Sequence, residues 1–91
     1  MKWVQLVLMV ANLQSPGAWV PVHMVKTDPY WALGQCKAYQ RANEPYILTE
    51  RFLAYPDPVN GGVLTMVNIR LECIRSPTAP EIREFRGAPV P

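Results

Sequence analysis

Cys36, Cys73 and His23 are the side chains with the most reactive potential, and none of them stands in a spacing that completes a reaction centre. Two cysteines and one histidine fall short of the four ligands a structural zinc site needs. The cysteines form no Cys-x-x-Cys pair, which removes thioredoxin-type exchange. What remains for them is a disulfide or two buried thiols. A bridge closing so long a loop stabilises by about 3–4 kcal/mol in the chain-entropy account, whereas a reducing cytosol keeps thiols free. His23 has a suitable ordinary pKa for a general base. It would need Asp28 or Asp57 to orient it and Ser76 or Cys36 as nucleophile, and no spacing joins them, so an exposed strand residue is expected. Glu44, Glu50 and Glu72 are acids at ordinary surface density rather than a catalytic pair. Asn60-Gly61-Gly62 lacks the Lys and the helix that follow a phosphate cradle, and reads as a hairpin turn. No catalytic, cofactor-binding or metal-ligating residue emerges, so the expectation is a protein that is not an enzyme and carries no cofactor.

The elements that hold these residues follow from length and pattern. Ninety-one residues, 49% of them apolar, suffice for one core. Residues 2–13 are apolar on both faces with no helix start before them, which predicts a central strand. Gln14-Ser15-Pro16-Gly17 is a turn, and residues 19–26 return as a second strand. Pro21 cannot donate to a ladder, so that strand belongs at an edge or exposes the position. Thr27-Asp28-Pro29 predicts a helix start, with Asp28 as cap, and the helix should end near Ala42 because Pro45 bars continuation. Its stripe is Ala32, Leu33, Cys36, Tyr39 and Gln40, away from Lys37 and Arg41. Gly34 interrupts it, for which close packing on the sheet is one reason. Residues 46–55 predict a third strand, and residues 63–75 a fourth with Val63, Thr65, Val67, Ile69, Leu71 and Cys73 on one face. The fold class is α+β: one helix on a mainly antiparallel four-stranded sheet, in the order ββαββ. A helix on a sheet would bring Cys36 and Cys73 together from distant parts of the chain.

Residues 1–76 form the single domain, and residues 77–91 hold four of the ten prolines in an extended tail. Ile82 and Phe85 are its candidate anchors, with Arg83 and Arg86 pairing to acids on a neighbour. Prolines lower the entropy lost when such an arm docks. Truncation after Ser76 is then expected to weaken association and leave the fold intact. One helix shields one side of a sheet, so the surplus apolar positions Val4, Leu6, Leu8, Leu64 and Met66 are the expected interface.

Partner classes narrow by charge. Nine basic against seven acidic residues give a net charge of +2, which is sparse for a duplex-binding surface. Trp3, Trp19, Tyr46 and Phe52 with Arg51 and Arg70 could stack single-stranded bases. The glycine–aromatic signature of the RNA-recognition sheet is absent, so nucleic acid is an unexpected partner. Lys2 and residues 3–11 resemble the start of a secretory signal, but Gln5 interrupts the apolar run and Ser15-Pro16-Gly17-Ala18 is a poor cleavage site. The run is also too short to span a membrane.

Met1-Lys2-Trp3-Val4 leading an apolar strand, a helix carrying Cys36 and a last strand with Glu72-Cys73-Ile74 resemble a loose group of small proteins of bacteriophages and prophage-bearing bacteria. The resemblance implies a phage origin and no activity. The expected function is a non-enzymatic binding or structural protein that contacts another protein or copies of itself. The alternative is a phage-encoded inhibitor of a host or defence enzyme, which a single stoichiometric host protein in a pull-down would reveal. A single-stranded nucleic-acid module and a small secreted protein stand behind these. Host cytoplasm or virion is the expected location, with secretion or the periplasm as the alternative.

Overall fold

The computed structural model describes residues 3–76. Three strands form one antiparallel sheet in the order β2-β1-β3. They are β1 (Trp3–Ala11), β2 (Trp19–Asp28) and β3 (Ile69–Ser76). Helix α1 (Leu33–Ile47) and a π-helical turn (Leu48–Phe52) follow β2 and lie on one side of the sheet. The chain is therefore α+β, with three described strands in place of the expected four.

β1 is central because every residue from Val4 to Val10 is buried. Val4, Leu6, Leu8 and Val10 point into the main core, and Val7 and Met9 point to the opposite side. Residues 3–11 are thus the middle of the fold, and cleavage after Ala18 would remove it. The hairpin turn to β2 is closed by Asn12 N–H donating to Ala18 C=O at 2.9 Å, with Gly17 at φ +90°. β2 occupies an edge, and its register against β1 shifts twice, on either side of Val7 and Leu8. Pro21 sits on this edge strand, where its missing donor is tolerated.

The helix begins and ends later than expected. β2 runs through Asp28, whose carboxylate accepts from Tyr30 N–H at 2.7 Å and closes a turn instead of capping a helix. The true cap position is Ala32, in extended geometry, and Gln35 Oε1 reaches back to accept its N–H at 2.9 Å. At the other end Pro45 lies inside the helix. Proline removes one backbone donor there, but Ile47, Leu48 and Phe52 are all buried beneath the continuing coil. Packing outweighs the local propensity. Leu48 N–H donates to the carbonyls of Glu44 and Pro45, and Leu53 N–H donates to Leu48 C=O five residues back. Residues 46–55 are accordingly helix, π turn and loop, not a strand. A Cβ at Gly34 would meet nothing within 4 Å, so close packing does not explain this glycine.

β3 starts six residues later than the expected strand. Val63 makes one isolated bridge to Pro56, and Val67 is 90% exposed. Asn68 Oδ1 accepts from both the backbone and the hydroxyl of Thr65 at 3.0 Å, which winds residues 65–68 into a turn. Of the predicted face, only Ile69, Leu71 and Cys73 join the core side of the sheet. Among the described residues no helix is long and apolar enough to cross a bilayer.

Candidate functional site

Cys36 and Cys73 form a disulfide between α1 and β3, with Cα atoms 6.2 Å apart. Helical spacing continues the same attachment. Gln40, one turn on, donates from Nε2 to Leu71 C=O at 2.8 Å. Glu44, a further turn on, accepts Leu71 N–H at 2.7 Å. Residues 36, 40 and 44 thus form one stripe along the outer edge of β3. Both outward backbone groups of Leu71 are consumed by side chains, as a neighbouring strand would consume them. The i, i+4, i+8 spacing carried this signal, although nothing in the sequence marks Gln40 and Glu44 as ladder partners.

A polar clasp holds the far end of the sheet. Asp57 is 6% exposed, and its Oδ1 accepts the N–H groups of Val59 and Asn60 at 2.8 and 2.9 Å. Its Oδ2 accepts from the side-chain amides of Asn60 and Asn68 at 3.0 and 3.3 Å. Asn60 passes the connection on to β1 and the hairpin, donating to Ala11 C=O and accepting Leu13 N–H. The glycines after it, at φ +79° and +71°, close the loop. Burial pushes the Asp57 carboxyl up, and the hydrogen bonds from Asn60, Val59 and Asn68 together outweigh it and hold the group below its ordinary value. A depressed carboxyl stabilises the fold above its unfolded pKa and loses that effect as pH falls through the folded value. Asp57→Asn is therefore expected to cost about 2–3 kcal/mol near pH 7, the scale of hydrogen bonds to a charged acceptor. Urea melts should show the difference from wild type narrowing below the ordinary value of 3.8. An undiminished difference in acid would remove the carboxylate from the account.

The groups that could assist His23 are committed elsewhere. Cys36 is oxidised, Asp28 serves its turn and Asp57 its clasp. The His23 ring is half-buried and lies edge-on to Phe52 at 5.6 Å, on the core side of the sheet rather than in solvent. Lys26 sits over Trp31 and Tyr39 at 5.1 and 4.7 Å from their ring centres, which anchors the entry to α1. Among the described residues no three His, Cys, Asp or Glu side chains converge as a metal site.

What stands out is the sheet face turned away from α1. Directly paired residues share a face, so the ladder builds it in rows. Met9 lies between Pro21 and Arg70, Val7 between Met24 and Glu72, and Gln5 between Thr27 and Ile74. Val7 and Met9 form the centre, packed by Trp19, Met24 and Ile74. The Arg70 guanidinium stacks over Trp19 at 4.1 Å and pairs with Glu72 at 3.1 Å, closing one rim with a charge pair that is nearly half exposed. Gln5 Nε2 approaches Met24 Sδ at 3.7 Å. Thr27 Oγ1 is buried without a hydrogen-bond partner among the described residues.

This face differs from the expected interface. Val4, Leu6, Leu8 and Leu64 all lie in the core beneath α1 and the π turn, at 2% exposure or less. Met66 is exposed, on the loop before β3. The contact candidates are instead Val7, Met9, Trp19, Met24 and Ile74. Tail positions Ile82, Arg83, Phe85 and Arg86 lie outside the described residues. No family model, curated protein or solved structure matches this chain.

Proposed function

We propose that this is a non-enzymatic binding or structural protein that works through protein–protein contact on the sheet face opposite α1. The observation that carries the reading is the apolar centre of Val7 and Met9 with Trp19, Met24 and Ile74 around it. Val7 and Met9 are themselves buried. The accessible part of the face is the half-buried Trp19, Met24 and Ile74 with the charge pair at their rim, an apolar centre inside a polar border that suits a contact surface. The sheet edges support the same choice. β3 has Leu71 taken up by Gln40 and Glu44, and β2 carries Pro21 and two register shifts. Both devices discourage another chain from adding as a strand. A phage origin is supported by the resemblance of Met1-Lys2-Trp3-Val4, Cys36 and Glu72-Cys73-Ile74 described above.

A charge placed in the middle of the patch tests the reading. Met24→Glu should leave the melting transition within a few degrees of wild type, because Met24 is half-buried on the edge strand. It should weaken self-association, or capture of a stoichiometric partner, at least tenfold, as expected for an unpaired charge buried at an interface. Light scattering across a wide concentration range and pull-down with both proteins give the readout. A wild-type chain that stays monomeric and captures nothing, or a variant that associates equally well, would sink the proposal.

A further inference from the structure

Asn60 is followed by Gly61, and the fold demands the two residues for separate reasons. Gly61 stands at φ +79°, a backbone region that side-chain-bearing residues rarely adopt. Asn60 is needed for its amide, which donates to Ala11 C=O at 2.8 Å and to Asp57 Oδ2 at 3.0 Å and accepts Leu13 N–H at 2.9 Å. Together they make a chemically fragile pair. With no side chain on the following residue, the Gly61 nitrogen has an open approach to the Asn60 side-chain carbonyl. We infer that Asn60–Gly61 is a self-modification site, an asparagine that converts to aspartate or isoaspartate, and that the Asp57 clasp holds it unreacted in the folded chain.

The reaction needs water alone. The Gly61 nitrogen, giving up its proton to solvent, attacks Asn60 Cγ and closes a succinimide ring. The side-chain nitrogen takes up a proton and leaves as ammonia. Water then opens the ring at either carbonyl, and nothing is oxidised or reduced. The clasp opposes the first step at several atoms. Gly61 N–H donates to Asp57 C=O at 3.1 Å, which ties up the nucleophile. Asn60 N–H donates to Asp57 Oδ1 at 2.9 Å, and both side-chain amide hydrogens are held as well. The side chain therefore cannot swing onto Gly61 until the loop opens, and the rate follows the population of the open state. Modification also prevents reclosure. A carboxylate at position 60 faces the Asp57 carboxylate and Ala11 C=O where donors stood before, so like charges meet in a largely buried place. The isoaspartate form further adds a methylene to the backbone between this residue and Gly61. A reversible opening becomes a permanent one, and the loop at residues 57–62 loses its tie to β1 and the hairpin.

Peptide mapping by mass spectrometry on the full, oxidised chain at mildly alkaline pH tests this, in native buffer and in concentrated urea. Asn12, Asn43 and Asn68 are internal controls, because Leu13, Glu44 and Ile69 hinder the same attack. In urea Asn60 should react many-fold faster than any of the three. In native buffer its rate should fall roughly a hundredfold or more below its own rate in urea. Asp57→Asn replaces one acceptor oxygen with a donor facing the Asn60 and Asn68 amides, and Pro58 has no N–H with which to attack the new side chain. This variant should modify Asn60 about tenfold faster than wild type held at the same unfolding free energy by dilute urea. Asn60→Asp, which reproduces one product, should melt at lower urea than wild type. An Asn60 no faster in urea than the controls would remove the site. Native and denatured rates that coincide, or no excess rate in Asp57→Asn at matched stability, would overturn the clasp as its guard. An unshifted Asn60→Asp midpoint would overturn the permanent opening.

Discussion

Reduction of the Cys36–Cys73 bond should lower the unfolding free energy by about 4 kcal/mol, from the chain-entropy estimate for a closed loop of this size. The bond joins residues 37 apart, so the oxidised denatured chain is held as a large loop that reduction releases. For a domain of this length, a loss on that scale corresponds to a melting midpoint lower by about 15–30 °C. The native fold has a second hold on the same edge, because Gln40 and Glu44 keep Leu71 bonded whether or not sulfur is oxidised. The reduced protein should therefore still fold at low temperature and melt cooperatively, with a larger urea m-value because its denatured state is more open. Paired urea and thermal melts with and without reductant measure this, and Cys36→Ala with Cys73→Ala should track the reduced wild type. Coincident oxidised and reduced transitions would show that the bond contributes nothing to stability.

Phe52→Ala should cost about 3–5 kcal/mol, the range for emptying a fully buried aromatic site. Phe52 has no exposed surface, and its ring meets His23 edge-on across the core. It sits on the π turn, where the chain leaves the helix, so a cavity there removes packing from α1 and β2 together. Phe52→Leu should recover most of the loss, because it keeps the volume nearer to native. Tyr46→Ala is the contrasting substitution. Tyr46 is 69% exposed, and its loss should lie within about 0.5 kcal/mol. A strand over residues 46–55 would have set Tyr46 and Phe52 on one face with similar costs. Equal destabilisation by the two alanine variants, measured by urea melts, would contradict the helix and π turn.

That contrast shows where the sequence was legible. β1 could be placed at the centre because an unbroken apolar run has no solvent side. Cys36 and Cys73 fell into phase with their apolar neighbours, and the hairpin announced itself through Pro16 and Gly17. Residues 46–55 misled because Tyr46, Ile47, Thr49 and Phe52 favour strands, while the helical state rests on Ile47, Leu48 and Phe52 meeting a core formed by distant residues. Residues 63–68 misled for a related reason. Their alternation is real, but Asn68 bends the chain through Thr65 and Asp57, contacts that no local pattern encodes. Val4, Leu6 and Leu8, the positions expected at an interface, are core instead. A strand apolar on both faces does not say which of them a helix will take, and β2 and β3 were needed to identify Val7 and Met9 as the other side.

The capture of Leu71 by Gln40 and Glu44 has a consequence for how copies of this chain can assemble. Strand addition at an edge repeats without limit, because each new copy presents the same edge again. A face uses itself up. Two copies meeting through Val7, Met9 and Met24 would be related by a two-fold axis, and the pair would leave no equivalent surface for a third. Among the described strands one edge is answered by its own side chains and the other is interrupted by Pro21 and two register shifts, so neither is a ready template for adding a strand.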